Sequence, residues 1–188
     1  DVFLLNPDKR YTMQLWNTVC LNCHATAGQP RQDTATRELN SQAAEMGISC
    51  EACHGPAGEH VQANLAPARR YSLHRHGQVD ETVFNPRRAD HIKASESCGQ
   101  CHAIRRKLDP QTWAQEGVRF RPGQDLEQVA PLVRYEDPGT PGTPDAKRTV
   151  MEGSFWSDGQ VRVSGRDFNG LVESPCFKRG RLSCLSCH

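Results

Sequence analysis

Residues 98–102 read Cys98-Gly99-Gln100-Cys101-His102, and the same pattern occurs three more times: Cys20-Leu21-Asn22-Cys23-His24, Cys50-Glu51-Ala52-Cys53-His54 and Cys184-Leu185-Ser186-Cys187-His188. Eight of the nine cysteines fall in these C-x-x-C pairs, leaving Cys176 over. Disulfides, zinc, iron–sulfur clusters and covalent c-type haem all use such pairs, and the residue after each pair separates them. Zinc ribbons do not require His at that position each time. Iron–sulfur ligation needs four thiolates per cluster, and its usual runs have no such His. At this chain's His content, four matches in four would arise by chance at roughly a few in a million. The pattern reads as covalent attachment of four c-type haems, hence a tetrahaem chain.

The spacing has a chemical reason. Two thiols add across the two vinyl groups of one porphyrin edge, and two intervening residues let one turn of backbone reach both. The adjacent His then lies under the ring, where its imidazole can bind the iron axially. Cys20, Cys23, Cys50, Cys53, Cys98, Cys101, Cys184 and Cys187 are therefore the expected attachment residues, with His24, His54, His102 and His188 as the first axial ligands. Composition agrees. Leu, Ile, Val and Phe make up about 18% of the 188 residues, below the roughly 20% under which a highly charged chain is suspected of disorder. Yet 23 basic and 22 acidic residues leave a net charge of only +1. Four porphyrins would supply the missing interior, so the chain need not build a conventional core, and cofactor binding should be inseparable from folding. The longest apolar run, Val2 to Leu5, is far too short to cross a membrane. The chain starts at Asp1 with no basic-then-apolar leader, which reads as a mature or trimmed form.

Four of the eight His remain after the motifs are served: His60, His74, His76 and His91. An isolated surface His is usually only a titrating polar group, but here each iron has a second axial face to fill. Met is the other common ligand, and the chain has only Met13, Met46 and Met151. Bis-His coordination at low potential is the expectation for most sites. His60 follows the turn-rich Gly55-Pro56-Ala57-Gly58, which can swing it onto a haem other than the one held at Cys50 and Cys53. His74 and His76 would share a face on a strand but not on a helix. His91 lies seven residues before Cys98, so two helical turns would carry it toward the next haem.

The motifs are spaced 30, 48 and 86 residues apart, which is no strict repeat. Residues 35–46 read as a helix stopped by Gly47, residues 58–70 as a second, and residues 124–135 as a third that Pro131 should break. Residues 136–147 read as a Pro/Gly/Thr surface loop. Asp158-Gly159 between short alternating runs predicts a small β-hairpin near 155–163. The expected fold is a single domain over 1–188, mainly α and coil wrapped around four haems, with low secondary-structure content. Basic residues cluster at Arg69-Arg70, Arg87-Arg88, Arg105-Arg106-Lys107 and Lys178-Arg179 with Arg181. A near-neutral chain with no aromatics among these clusters is not a nucleic-acid binder. Arg forks pair with carboxylates, and haem propionates are the expected partners.

At these residues the chain resembles the multihaem cytochrome c554-type family. The resemblance runs through Trp16 with the first motif, Gly47 to Val61 around the second, and Asn85-Pro86 with the third. It continues through Ser157 to Gln160, then Gly180 with the last motif. It implies that His60 is a distal ligand, that the haems stack in close pairs, and that the chain continues beyond His188, where relatives often supply another His. Some relatives leave one iron five-coordinate. The functional expectation is electron transfer through the haem chain, with no catalysis of its own. C-x-x-C-H attachment is made outside the cytoplasm, so the expected location is periplasmic or extracellular. Partners would be redox proteins or, as an alternative, copies of the chain in an extracellular conducting filament. A small nitrogen- or sulfur-oxide reductase is disfavoured because four spare His leave little room for an open iron. A reaction-centre tetrahaem subunit is disfavoured by the few Met. Cys176, with no pairing partner, reads as a buried free thiol, an intermolecular disulfide being the alternative.

Overall fold

The computed structural model describes residues 16–136 and 144–188. A wide helical turn over Trp16–Cys20 leads into α1 (Leu21–His24) and the short strand β1 (Ala25–Thr26), which pairs antiparallel with β2 (Glu45–Met46). There follow α2 (Cys50–His54), α3 (Gly58–Ala63), α4 (Pro67–His76), a 3₁₀ turn at Pro86–Arg88, α5 (His91–His102), α6 (Pro110–Glu116) and α7 (Leu126–Val129). After the undescribed part of the 136–147 loop come α8 (Asp145–Ser154), α9 (Asp167–Glu173), α10 (Pro175–Lys178) and a closing 3₁₀ turn at Cys184–Ser186. The chain is mainly helix and coil, as expected. Close to half of the described residues are helical, however, so the secondary-structure content is not low.

Three local expectations need correction. Residues 35–46 are not a helix. Asp33 accepts from the N–H groups of Ala35 (2.7 Å) and Thr36 (2.9 Å) as a helix N-cap would, but Arg37 turns left-handed (φ +62°) and ends the coil after one turn. The chain then runs back along itself through the Gln32–Leu39 and Gln29–Gln42 bridges into β1 and β2. From Leu39 to Ala44 the side chains alternate half-buried and exposed, which is a strand period. Tertiary pairing overrides the helix propensity of Ala, Glu and Met here. The helix expected over 58–70 is two helices, because Pro67 opens α4 and sets Ala66 extended. The hairpin near 155–163 shrinks to the Phe155–Val161 bridge and a turn in which Trp156 N–H donates to Gln160 O (2.7 Å), so the described sheet lies at β1–β2 instead. The break at Pro131 is observed, with α7 ending at Val129.

α5 is the longest described helix and the organising element. Asp90 caps it, its carboxylate accepting from Ile92 N–H (2.9 Å) and Lys93 N–H (3.1 Å). Ala94 to Ser97 and Gly99 are buried. A conventional core is nonetheless present, and among the described residues its clusters lie in the C-terminal part. Ala103, Phe120, Leu126, Ala130, Leu132 and Phe168 form one cluster, and Val133, Met151 and Phe155 a second. Helices α2, α3 and α4 bury no residue at all. The apolar side chains are thus spent beside the third motif, while the second motif and the arm after it have no aliphatic core of their own.

Candidate functional site

Each C-x-x-C-H segment lies on a helical turn: α1, α2, the last turns of α5, and the closing 3₁₀ turn. All four meet at α5. Gln100, between the cysteines of the third segment, donates from Nε2 to the carbonyl of Ala52 (2.6 Å), between those of the second. The N–H of Cys184 donates to the Oγ of Ser95 (3.1 Å), a fully buried side chain. The Cys23 thiol of the first segment also reaches the third, donating to the carbonyl of Cys101 (3.9 Å). Cys23 is drawn down to about 5 by the Cys101 thiol, with the guanidiniums of Arg105 and Arg166 assisting, while that contact and burial push Cys101 up. Cys184 is likewise lowered to about 6 by Cys98 and then Ser95. A cavity of about 440 Å³ opens where the first three segments meet, lined by Cys23, Ala52, Gly55, Gln100, Cys101 and Phe120 among others.

The histidines differ in how they are held. His54 Nδ1 lies 2.8 Å from the carbonyl of Phe84, whose N–H returns a bond to the His54 carbonyl (3.1 Å). Nδ1 must therefore carry the proton, and Nε2 keeps its lone pair. His60, on α3, sits with Nδ1 3.1 Å from Asp80 Oδ2. His24, His102 and His188 are exposed, and the His24 ring lies 6.2 Å from Trp16. His91 is the first residue of α5 and stacks on Phe177 at 4.8 Å between ring centres. It lines a second cavity, of about 410 Å³, with Arg87, Arg181, Ser183 and Leu185 of the fourth segment and its approach. His91, Ser95 and Cys98 are spaced i, i+4, i+7, one stripe of the helix facing that segment. His74 and His76 lie on helix α4, so they do not share a face; His76 lies on the side of Arg69 and Leu73, which is half-buried. Met151 is committed to the second apolar cluster, Met46 is exposed beside Gly47, and Met13 lies outside the described residues.

Asp80 belongs to no motif and gave no signal in the sequence. Its carboxylate gathers His60, Asn64, Arg69 and Thr82 around one point. The Thr82 hydroxyl first, then Asn64, hold it well below the ordinary carboxylate range. Arg105, one of the basic residues expected to meet propionates, is the other notable feature. Burial lowers its pKa, Arg166 stands beside it, and its Nη1 is buried with no hydrogen-bond partner. A buried guanidinium with a free donor calls for an anion. Among the described residues, no three His, Cys, Asp or Glu side chains converge to hold a bare metal ion.

Cys176 is exposed in the first turn of α10, not buried as expected. In the native protein it should therefore react with a maleimide at close to the rate of a small-molecule thiol. Non-reducing gels of oxidised protein should show a covalent dimer that Cys176→Ala abolishes. A thiol that labels only after denaturation would contradict this placement.

No described helix is long and apolar enough to cross a membrane. No curated protein and no solved structure matches the chain. Residues 5–55, which contain the first two C-x-x-C-H segments, match the family described as cytochrome c554 and c-prime. Over that stretch the chain is similar to c-type cytochromes, extracytoplasmic electron-transfer proteins that carry covalently bound haem c.

Proposed function

We propose that the chain is a tetrahaem c-type cytochrome that relays electrons among its own haems and exchanges them with redox partner proteins outside the cytoplasm. The observation that supports this most is the meeting of all four C-x-x-C-H segments at α5. When bound, haem c supplies a one-electron iron couple. The remaining requirements fall to the chain. The eight motif cysteines would hold the porphyrins, and His24, His54, His102 and His188 would take one axial position each. Packing four attachment turns against one helix keeps the redox centres close together, which a relay requires.

The second axial positions are assigned by reach. His60, on α3 six residues after His54, is assigned to a haem other than the one His54 ligates. His91 shares a rigid helix with His102, so the two cannot approach one ring from opposite faces. His91 is therefore assigned to the haem of the fourth segment, whose approach lines the same cavity. His74 and His76, both exposed and on different faces of α4, are the candidates for the remaining second axial positions. Arg105 and Arg166 are the natural partners of haem propionates near Cys23 and Cys101, since a guanidinium fork matches a carboxylate. The intact mass of the denatured, reduced protein should exceed that of the polypeptide by four haems. A mass showing three would overturn the tetrahaem reading.

A further inference from the structure

We infer that Asp80 is a positioning residue for His60: it fixes the tautomer and direction of the imidazole and strengthens it as an iron ligand. The inference rests on the proposed axial role of His60. Asn64 Nδ2 approaches three atoms: Asp80 Oδ2 (2.7 Å), the His60 carbonyl (2.9 Å) and His60 Nδ1 (3.2 Å). An amide NH₂ has only two protons. The shorter two contacts use them, on acceptors that can do nothing else. His60 Nδ1 is therefore not committed to Asn64, and the carboxylate oxygen 3.1 Å away, an ion-pair contact, favours the proton on that nitrogen. With the proton on Nδ1, the Nε2 lone pair is the one available to a metal.

The carboxylate is itself held from several sides. Arg69 Nη2 donates to Oδ1 (3.0 Å), as do the N–H (3.1 Å) and hydroxyl of Thr82. Asp80 is thereby kept ionised and fixed in orientation at the point where the chain returns from α4. A carboxylate on the outer nitrogen of a ligating His locks ring orientation and raises ligand basicity. A more basic imidazole favours the ferric over the ferrous iron, so the haem that His60 ligates should have its potential lowered by Asp80. His54 carries a neutral carbonyl at the equivalent nitrogen, so the two imidazoles differ in donor strength. This gives the chain a means of setting two potentials apart with the same ligand type.

The test uses the haem-loaded full chain. Spectropotentiometric titration of Asp80→Asn, which keeps the side-chain shape and removes the charge, should move one of four components to higher potential and leave three in place. Low-temperature electron paramagnetic resonance should show one low-spin signal altered, and Asp80→Glu should restore it at least in part. Asp80→Ala should in addition let about one quarter of the reduced haem bind CO, because an unanchored imidazole yields its site. His60→Met is the control for the underlying reading and should change one component by itself. If His60→Met changes one haem while Asp80→Asn and Asp80→Ala leave all four unchanged, the positioning role is refuted and the ligand assignment stands. If His60→Met changes none, the ligand assignment fails and the inference with it. A uniform shift of all four components in Asp80→Asn would mark a structural clamp only and would also overturn the role.

Discussion

Asn169→Leu is expected to destabilise the protein by about 2–4 kcal/mol, because it strands two backbone groups, the Ile104 N–H and the Val133 carbonyl, at about 1–3 kcal/mol each, while the Ile104 carbonyl keeps its bond from the Val133 N–H (2.9 Å). Asn169 lies on α9 and is 4% exposed. Its Oδ1 accepts from the Ile104 N–H (2.7 Å), and its Nδ2 donates to the carbonyls of Ile104 (3.1 Å) and Val133 (2.8 Å). Ile104 follows the third C-x-x-C-H segment and packs against the second apolar cluster, to which Val133 belongs, so the amide staples α9 to the exit of α5. A leucine fills the volume and answers none of the bonds. The measurement is guanidinium unfolding followed by far-ultraviolet circular dichroism, since covalently attached haem stays on the unfolded chain. The midpoint should fall with little change in slope. A loss below about 1 kcal/mol would show that water or a backbone shift replaces the lost bonds.

The second large effect is steric. A Cβ added at Gly99 would stand 2.5 Å from two ring carbons of Phe168 and 3.0 Å from Leu126 Cδ2. Both neighbours are buried, and an aromatic ring cannot bend away, so Gly99→Ala must push α9 off α5 at a cost of about 1–3 kcal/mol, and Gly99→Val more. The strain falls between Cys98 and Cys101, where the two thiols must keep their spacing. Gly99 is thus present because α9 packs across the third segment, a constraint that C-x-x-C-H chemistry does not impose. Phe168→Ala alone leaves a cavity and should cost about 3–5 kcal/mol. In the double variant the new methyl occupies part of that space, so the cycle should show a favourable coupling of about 1 kcal/mol or more. Strict additivity would mean that the two side chains do not meet.

Gly117 shows the same principle against the first segment, where its added Cβ would also stand 3.0 Å from Asn22 Oδ1. Its φ is +68°, and a Cβ there would lie 2.4 Å from the carbonyl of Gly28, so α6 and the loop after the first segment approach through two glycines. Neither glycine could be told from an ordinary turn residue beforehand. The helix expected over 35–46 failed for a related reason: the cap-like bonds of Asp33 are present, but the chain just before it is held by a distant partner. Arg31 and Gln32 pair with the carbonyls of Gln115 and Ala114, more than eighty residues on.

What the sequence determined by itself is the chemistry that closes within five residues. Two thiols and an imidazole at fixed spacing must lie on one turn of backbone, and each of the four segments does. The break imposed by Pro131 was readable on the same grounds, and α7 ends at Val129. Tertiary structure alone decided which segments touch. The Cys184–Ser95 bond spans 89 residues and the Gln100–Ala52 bond 48. It also decided that Asp80, twenty residues past His60, returns to the Nδ1 of that ring. Covalent spacing is a property of neighbours in the chain, whereas a hydrogen bond across a fold depends on where every intervening turn sends the backbone, and no local pattern carries that sum.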